Sequence, residues 1–63
     1  MNPPIQLLTA RQVSEVLAVS IPMVYKLIHQ GEIEVVRLGS ALRVHPEDLT
    51  AFIVSHRSRK KPA

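Results

Sequence analysis

From residue 10 the apolar positions of this chain recur at helical intervals. Ala10, Val13, Val16 and Leu17 form one stripe, while Arg11, Ser14 and Glu15 point elsewhere. Thr9 is a good N-cap and Gln12, three residues on, completes a capping-box pattern, so a helix is predicted over about 10–17. A short turn follows, Ala18-Val19-Ser20. Ser20 is a second N-cap, and Pro22 suits a first turn because the N–H it lacks has no intrahelical partner there. At about 100° per residue, Ile21, Val24, Leu27 and Ile28 share one face of this second helix. Pro22, Lys26 and His29 occupy the opposite face, flanked by Met23, Tyr25 and Gln30. Gly31 ends the helix as its C′ residue.

The rhythm then changes. Ile33, Val35, Val36, Leu38, Leu42 and Val44 are β-favouring positions around "LGSAL", and Gly39 at its centre predicts a hairpin with a tight turn. Arg37 and Arg43 stand three residues either side of Ser40, which predicts cross-strand neighbours on one face of the ribbon. Like charges so placed repel unless something negative lies nearby. A third helix is predicted from Pro46, with Glu47 and Asp48 in the first turn, where the helix dipole favours acid. Leu49, Phe52 and Ile53 form its apolar stripe, and it is expected to fray near His56. Pro3 and Pro4 oppose regular structure, so residues 1–6 read as an extended arm, 7–56 as the domain and 57–63 as a disordered tail. The fold class expected is a small, mainly helical α+β winged helix-turn-helix.

Length and composition narrow the picture further. A chain of 63 residues is one domain at most, and it buries only about 60% of the surface its unfolded form exposes. It has no cysteine, so no disulfide or thiolate zinc site adds stability. "MNPPIQLL" has neither a basic region nor a long apolar run, which leads us to expect a cytoplasmic protein that does not span a membrane. The formal net charge is +3, but Arg57, Arg59, Lys60 and Lys61 all lie in the last seven residues. Residues 1–56 carry four cations against five carboxylates, so the excess is a basic tail suited to phosphate backbones.

Two short helices joined by a tight turn and followed by a hairpin suit double-stranded DNA. The major groove is about 12 Å wide and admits one α-helix, and a second helix packed across it holds that probe at a fixed angle. Val13, Val16, Leu17, Val24 and Ile28 are expected to set the angle. On the outer face, Lys26 reaches phosphate or guanine, Tyr25 and His29 can hydrogen-bond phosphate or base, and Pro22 and Met23 offer only apolar contact, for instance to a thymine methyl. Ser20 with the free N–H groups of the helix start suits a phosphate oxygen, and Arg11 a position beside it. In the wing, Arg37, Ser40 and Arg43 fit the adjacent minor groove, whose negative potential offsets their repulsion. Plainer readings stand beside these: Lys26 as a solvated charge, Tyr25 as the edge of the core, His29 as a neutral exposed ring. Glu32 and Glu34 oppose phosphate unless they point away.

Catalysis and metal binding find little support. His29, His45 and His56 are spaced 16 and 11 residues apart, without cysteine or an i, i+4 pair. No nucleophile–base arrangement, enclosed carboxylate pair or phosphate-binding glycine loop is visible. We expect no enzyme activity and no cofactor.

The run from Leu7 to Ile53 resembles the excisionase-type winged helix-turn-helix domains, relatives of the MerR DNA-binding domain. The resemblance rests on "LT" before the first helix, "VS" before the second, "VYKLI", "GEI", "VVRLG", then "R-V" and "EDL". It implies a small architectural factor of the bacteriophage excisionase kind that binds repeated sites near phage or plasmid attachment DNA cooperatively. Such a factor bends the duplex and promotes excision by a tyrosine-type integrase. Carried across, the recognition-helix contacts fall on Ser20, Pro22, Met23, Tyr25, Lys26 and His29, and the wing contacts on Arg37, Ser40 and Arg43. The chain departs from the family at Ala18, where glycine is common and a left-handed residue costs roughly 1 kcal/mol. Pro22 and Met23 also replace polar or basic residues, which shifts weight from base readout to the wing and DNA shape. A small transcriptional regulator of the same domain type is the alternative, and a protein-interaction module docking integrase is the alternative of another class. A chain without a sensor domain or coiled coil favours the excisionase reading.

Overall fold

A computed structural model describes residues 5–57, and its helix boundaries follow local side-chain chemistry. Helix α1 (Ala10–Leu17) opens with a reciprocal capping box. Thr9 Oγ1 accepts from the Gln12 amide at 3.1 Å while Gln12 Oε1 accepts from the Thr9 amide at 2.9 Å. The helix stops at Ala18, which takes a left-handed conformation with φ 58°. The amides of Ala18 and Val19 both donate to the Ser14 carbonyl, and that closure turns the chain toward the next helix.

Helix α2 (Ile21–His29) is capped by Ser20, whose Oγ accepts from the Met23 amide at 3.2 Å. It ends on Gly31, φ 77°, with Gly31 N–H donating to Ile28 and Glu32 N–H donating to Leu27. That pair of bonds is a Schellman closure, and Gly31 meets its backbone demand without a side chain to strain.

Strands β1 (Val36–Leu38) and β2 (Ala41–Arg43) pair antiparallel and are three residues each. They are joined by Gly39 and Ser40; of these only Gly39 has a positive φ, 63°, as a type II′ turn requires. Ile33 and Val35, expected on the strand, instead belong to the loop before it, where Ile33 is buried in the core. One residue past β2, Val44 exchanges two backbone hydrogen bonds of 2.8 Å each with Leu8. The lead into α1 is thereby fastened to the base of the hairpin.

Helix α3 (Pro46–Ser55) starts on a cap that the sequence pattern did not single out: His45 Nδ1 accepts from the Glu47 amide at 3.0 Å. At its other end His56 stacks on Phe52 and places Nε2 3.6 Å from Glu32 Oε1. Two helices, a two-stranded antiparallel hairpin and a third helix, in this order, are the small winged helix-turn-helix expected from the pattern.

One core joins the three helices to the loop before β1 and to the residue after β2. Val13, Val24 and Val44 are fully buried, joined by Ala10, Ile33 and Leu49, with Leu17, Leu27, Ile28 and Phe52 packed around them. Four positions depart from the expected pattern of inward and outward residues. Val16 is 57% exposed and does not help set the angle between α1 and α2. Ile21 and Ile53 are exposed as well, at 38% each. Ser14, expected outside, is buried, and its hydroxyl donates to the Arg11 carbonyl at 2.6 Å. A hydroxyl satisfied within its own helix is buried with little penalty.

Candidate nucleic-acid interface

The site begins with what the core leaves uncovered. Burial of Val24, with Leu27 and Ile28 beside it, turns the opposite side of α2 outward. Pro22, Lys26 and His29 lie along that side on successive turns, and all three are exposed. Met23 and Tyr25 flank them at 42% and 43% exposure. Tyr25 is therefore a surface residue and not the rim of the core. Ser20 is exposed at the head of the helix, where its hydroxyl oxygen is engaged as the cap. Arg11, exposed on α1, lies in that helix's first turn.

The hairpin corrects the expectation about its arginines. The register pairs Val36 with Arg43 and Arg37 with Leu42, so Arg37 and Arg43 do not face each other. Directly paired residues share a face and neighbours along a strand alternate. Arg43 therefore lies with Val36, Leu38 and Ala41, and Arg37 lies with Leu42 on the other face. The two guanidinium groups have no mutual repulsion for DNA to offset. Arg37 and Ser40 are exposed, whereas Arg43 is half-buried and donates from Nη1 to the Leu42 carbonyl at 2.8 Å.

Electrostatics favour the cations. Among the described residues Arg11, Lys26, Arg37 and Arg43 make no ion pair, so their charge is free for an external anion. Glu32, the acid nearest the end of α2, places its Oε1 3.6 Å from Nε2 of His56, the residue that caps the end of α3. Two of the three histidines thus have structural partners, His45 in a cap and His56 in the Glu32 contact. Sequence reasoning missed both. A histidine directly before a proline-led, acid-rich helix start is the signal that marks His45. No helix among the described residues is long and apolar enough to cross a membrane.

A capped tight turn between two packed helices, followed by a short hairpin, defines a helix-turn-helix protein with a wing. The sequence places it in a family: a profile described as "Helix-turn-helix domain" matches residues 7–57, and the chain belongs to that family. Two related proteins, from two strains of Mycobacterium tuberculosis, are each provisionally named a DNA-binding protein. Each is 48% identical over 40 residues, which is 64% of this chain and 51% of the relative. The match therefore spans about half the length of those curated relatives. No solved structure matches the chain significantly.

Proposed function

We propose that residues 7–56 form the DNA-binding domain of an excisionase-type architectural factor. Helix α2 lies in the major groove, the wing enters the adjacent minor groove, and copies on repeated sites bend the duplex and favour excision by an integrase. Family membership and the names of the relatives support DNA binding, and a binding role in place of catalysis. The observation that carries the docking mode is the uncovered side of α2, where Pro22, Met23, Tyr25, Lys26 and His29 are all exposed behind a buried Val24. The finer excisionase assignment rests on the resemblance of residues 7–53.

Within this mode Lys26 neutralises phosphate or reads guanine, Tyr25 and His29 hydrogen-bond phosphate or base edges, and Arg11 and Ser20 hold the backbone beside the helix start. The opposed arginines suit a hairpin that enters the minor groove edge-on. Arg37 then faces one phosphate wall and Arg43 the other, with Gly39 and Ser40 at the tip. Bending a site of 20–30 base pairs costs on the order of 1–6 kcal/mol, which contacts by several copies offset.

The test is a gel-shift titration of the purified protein against tiled fragments of its source genome, at low and physiological salt. The fragment bound is then circularly permuted. A ladder of cooperative complexes beside an integrase gene, with mobility that depends on site position, is the expected result. Shifts confined to promoter fragments with no position dependence would replace the excisionase reading with a transcriptional regulator. No selective shift would return the function to a protein partner.

A further inference from the structure

In helix-turn-helix docking, the first residues of the recognition helix contact base edges. Here that first turn consists of Ile21, Pro22 and Met23, all exposed and all apolar. None of the three offers a side-chain donor, the Met23 thioether is only a weak acceptor, and Pro22 lacks even a backbone N–H. The Ser20 oxygen that precedes them already accepts from Met23. Side chains able to hydrogen-bond base edges appear only later, from Tyr25 and Lys26 to His29 and, at the end of the helix, Gln30.

The major groove offers one apolar group, the C5 methyl of thymine. Guanine, cytosine and adenine offer no methyl to this turn, and their polar major-groove groups would be desolvated against carbon without a partner. We infer that Pro22 and Met23 read thymine methyl groups, so that the leading edge of α2 selects a thymine-bearing strand by shape and apolar contact. The inference rests on the docking mode proposed above. The apolar edge is continuous with the polar face of Tyr25, Lys26 and His29, so a helix seated on those contacts brings Met23 and Pro22 against the bases.

Removal of the methyl alone tests this. Duplexes are selected from a random 20-base-pair pool with the full chain. The best is then remade with deoxyuridine for each thymine, which keeps every hydrogen-bonding group. A second version restores the methyls as 5-methylcytosine in an otherwise unfavourable C·G variant. Loss of roughly fourfold in affinity per contacted methyl is expected on the uridine duplex. Partial recovery is expected on the methylcytosine duplex. The double variant Pro22→Ala/Met23→Ala should bind the thymine and uridine duplexes equally, while Lys26→Ala should weaken both and keep the ratio between them. Equal affinity of the unaltered chain for thymine and uridine duplexes would overturn the methyl reading and leave DNA docking intact. Discrimination that survives in the double variant would overturn the assignment to Pro22 and Met23. A pool that yields no bound duplex would end both readings together.

Discussion

Ala18 holds a left-handed backbone at φ 58° in the turn between α1 and α2, the only described non-glycine residue with a positive φ. For an L-residue that conformation costs about 1–2 kcal/mol. Replacement by glycine removes the strain but frees the unfolded chain, which returns about 0.4–1 kcal/mol. Ala18→Gly should therefore stabilise the domain by about 0.5–1 kcal/mol on balance. In a chain this short the gain raises Tm by roughly 2–8 °C. Gly31 gives the converse at the other end of α2. It sits at φ 77° with open space where a Cβ would lie, so Gly31→Ala loses a similar amount through backbone strain alone and not through a clash. Thermal and urea unfolding followed by far-UV circular dichroism measure both, with an unchanged m-value showing that the denatured state is the same. An Ala18→Gly domain no more stable than the parent would refute the strain assignment. So would a large loss on Gly31→Ala with none gained on Ala18→Gly.

Other substitutions probe the caps, core and wing. Thr9→Ala removes one half of the capping box and should cost about 1 kcal/mol, read as a lower urea midpoint. Val24→Ala deletes two buried methyl groups at the junction of α2 with the core, at a cost of about 2–3 kcal/mol. A core of this size rarely supplies more than about 3–5 kcal/mol, so a large unfolded fraction at 37 °C and weaker DNA binding should appear together. Arg37→Ala and Arg43→Ala should each leave the fold intact and lower the salt dependence of DNA affinity by about one unit of slope. An unchanged slope for either removes that arginine from the phosphate contacts.

The features legible in the sequence are those whose physics is local. Thr9 with Gln12, Ser20, Gly31 and Pro46 act within a single turn of chain, and each stands where its neighbours require it. Errors arose where a boundary or partner lay elsewhere. Helix α1 is two turns long, too short for periodicity to separate an edge residue such as Val16 from the core. Ser14 reads as a surface residue by type, yet its hydroxyl finds the Arg11 carbonyl and goes inside. The hairpin's centre lies between Gly39 and Ser40, not on Ser40, and a shift of half a position reverses the face on which one arginine points. The Leu8–Val44 and Glu32–His56 contacts join residues far apart in sequence and leave no local signature. For the interface, the outward side of α2 follows from the pattern of Val24, Leu27 and Ile28. The separation of Arg37 from Arg43 needed the strand register.

The two hydrogen bonds between Leu8 and Val44 also divide the molecule dynamically. They tie the base of the wing to the lead of α1, so this base should open only with the whole domain. Beyond it the ribbon has three paired positions and an exposed tip at Gly39 and Ser40. In amide hydrogen exchange, Leu8 and Val44 should therefore belong to the slowest class together with Val13 and Val24, while the tip exchanges early. With that order of exchange, the wing would act as a finger on a fixed knuckle, adjusting to a groove without slackening the helices behind it.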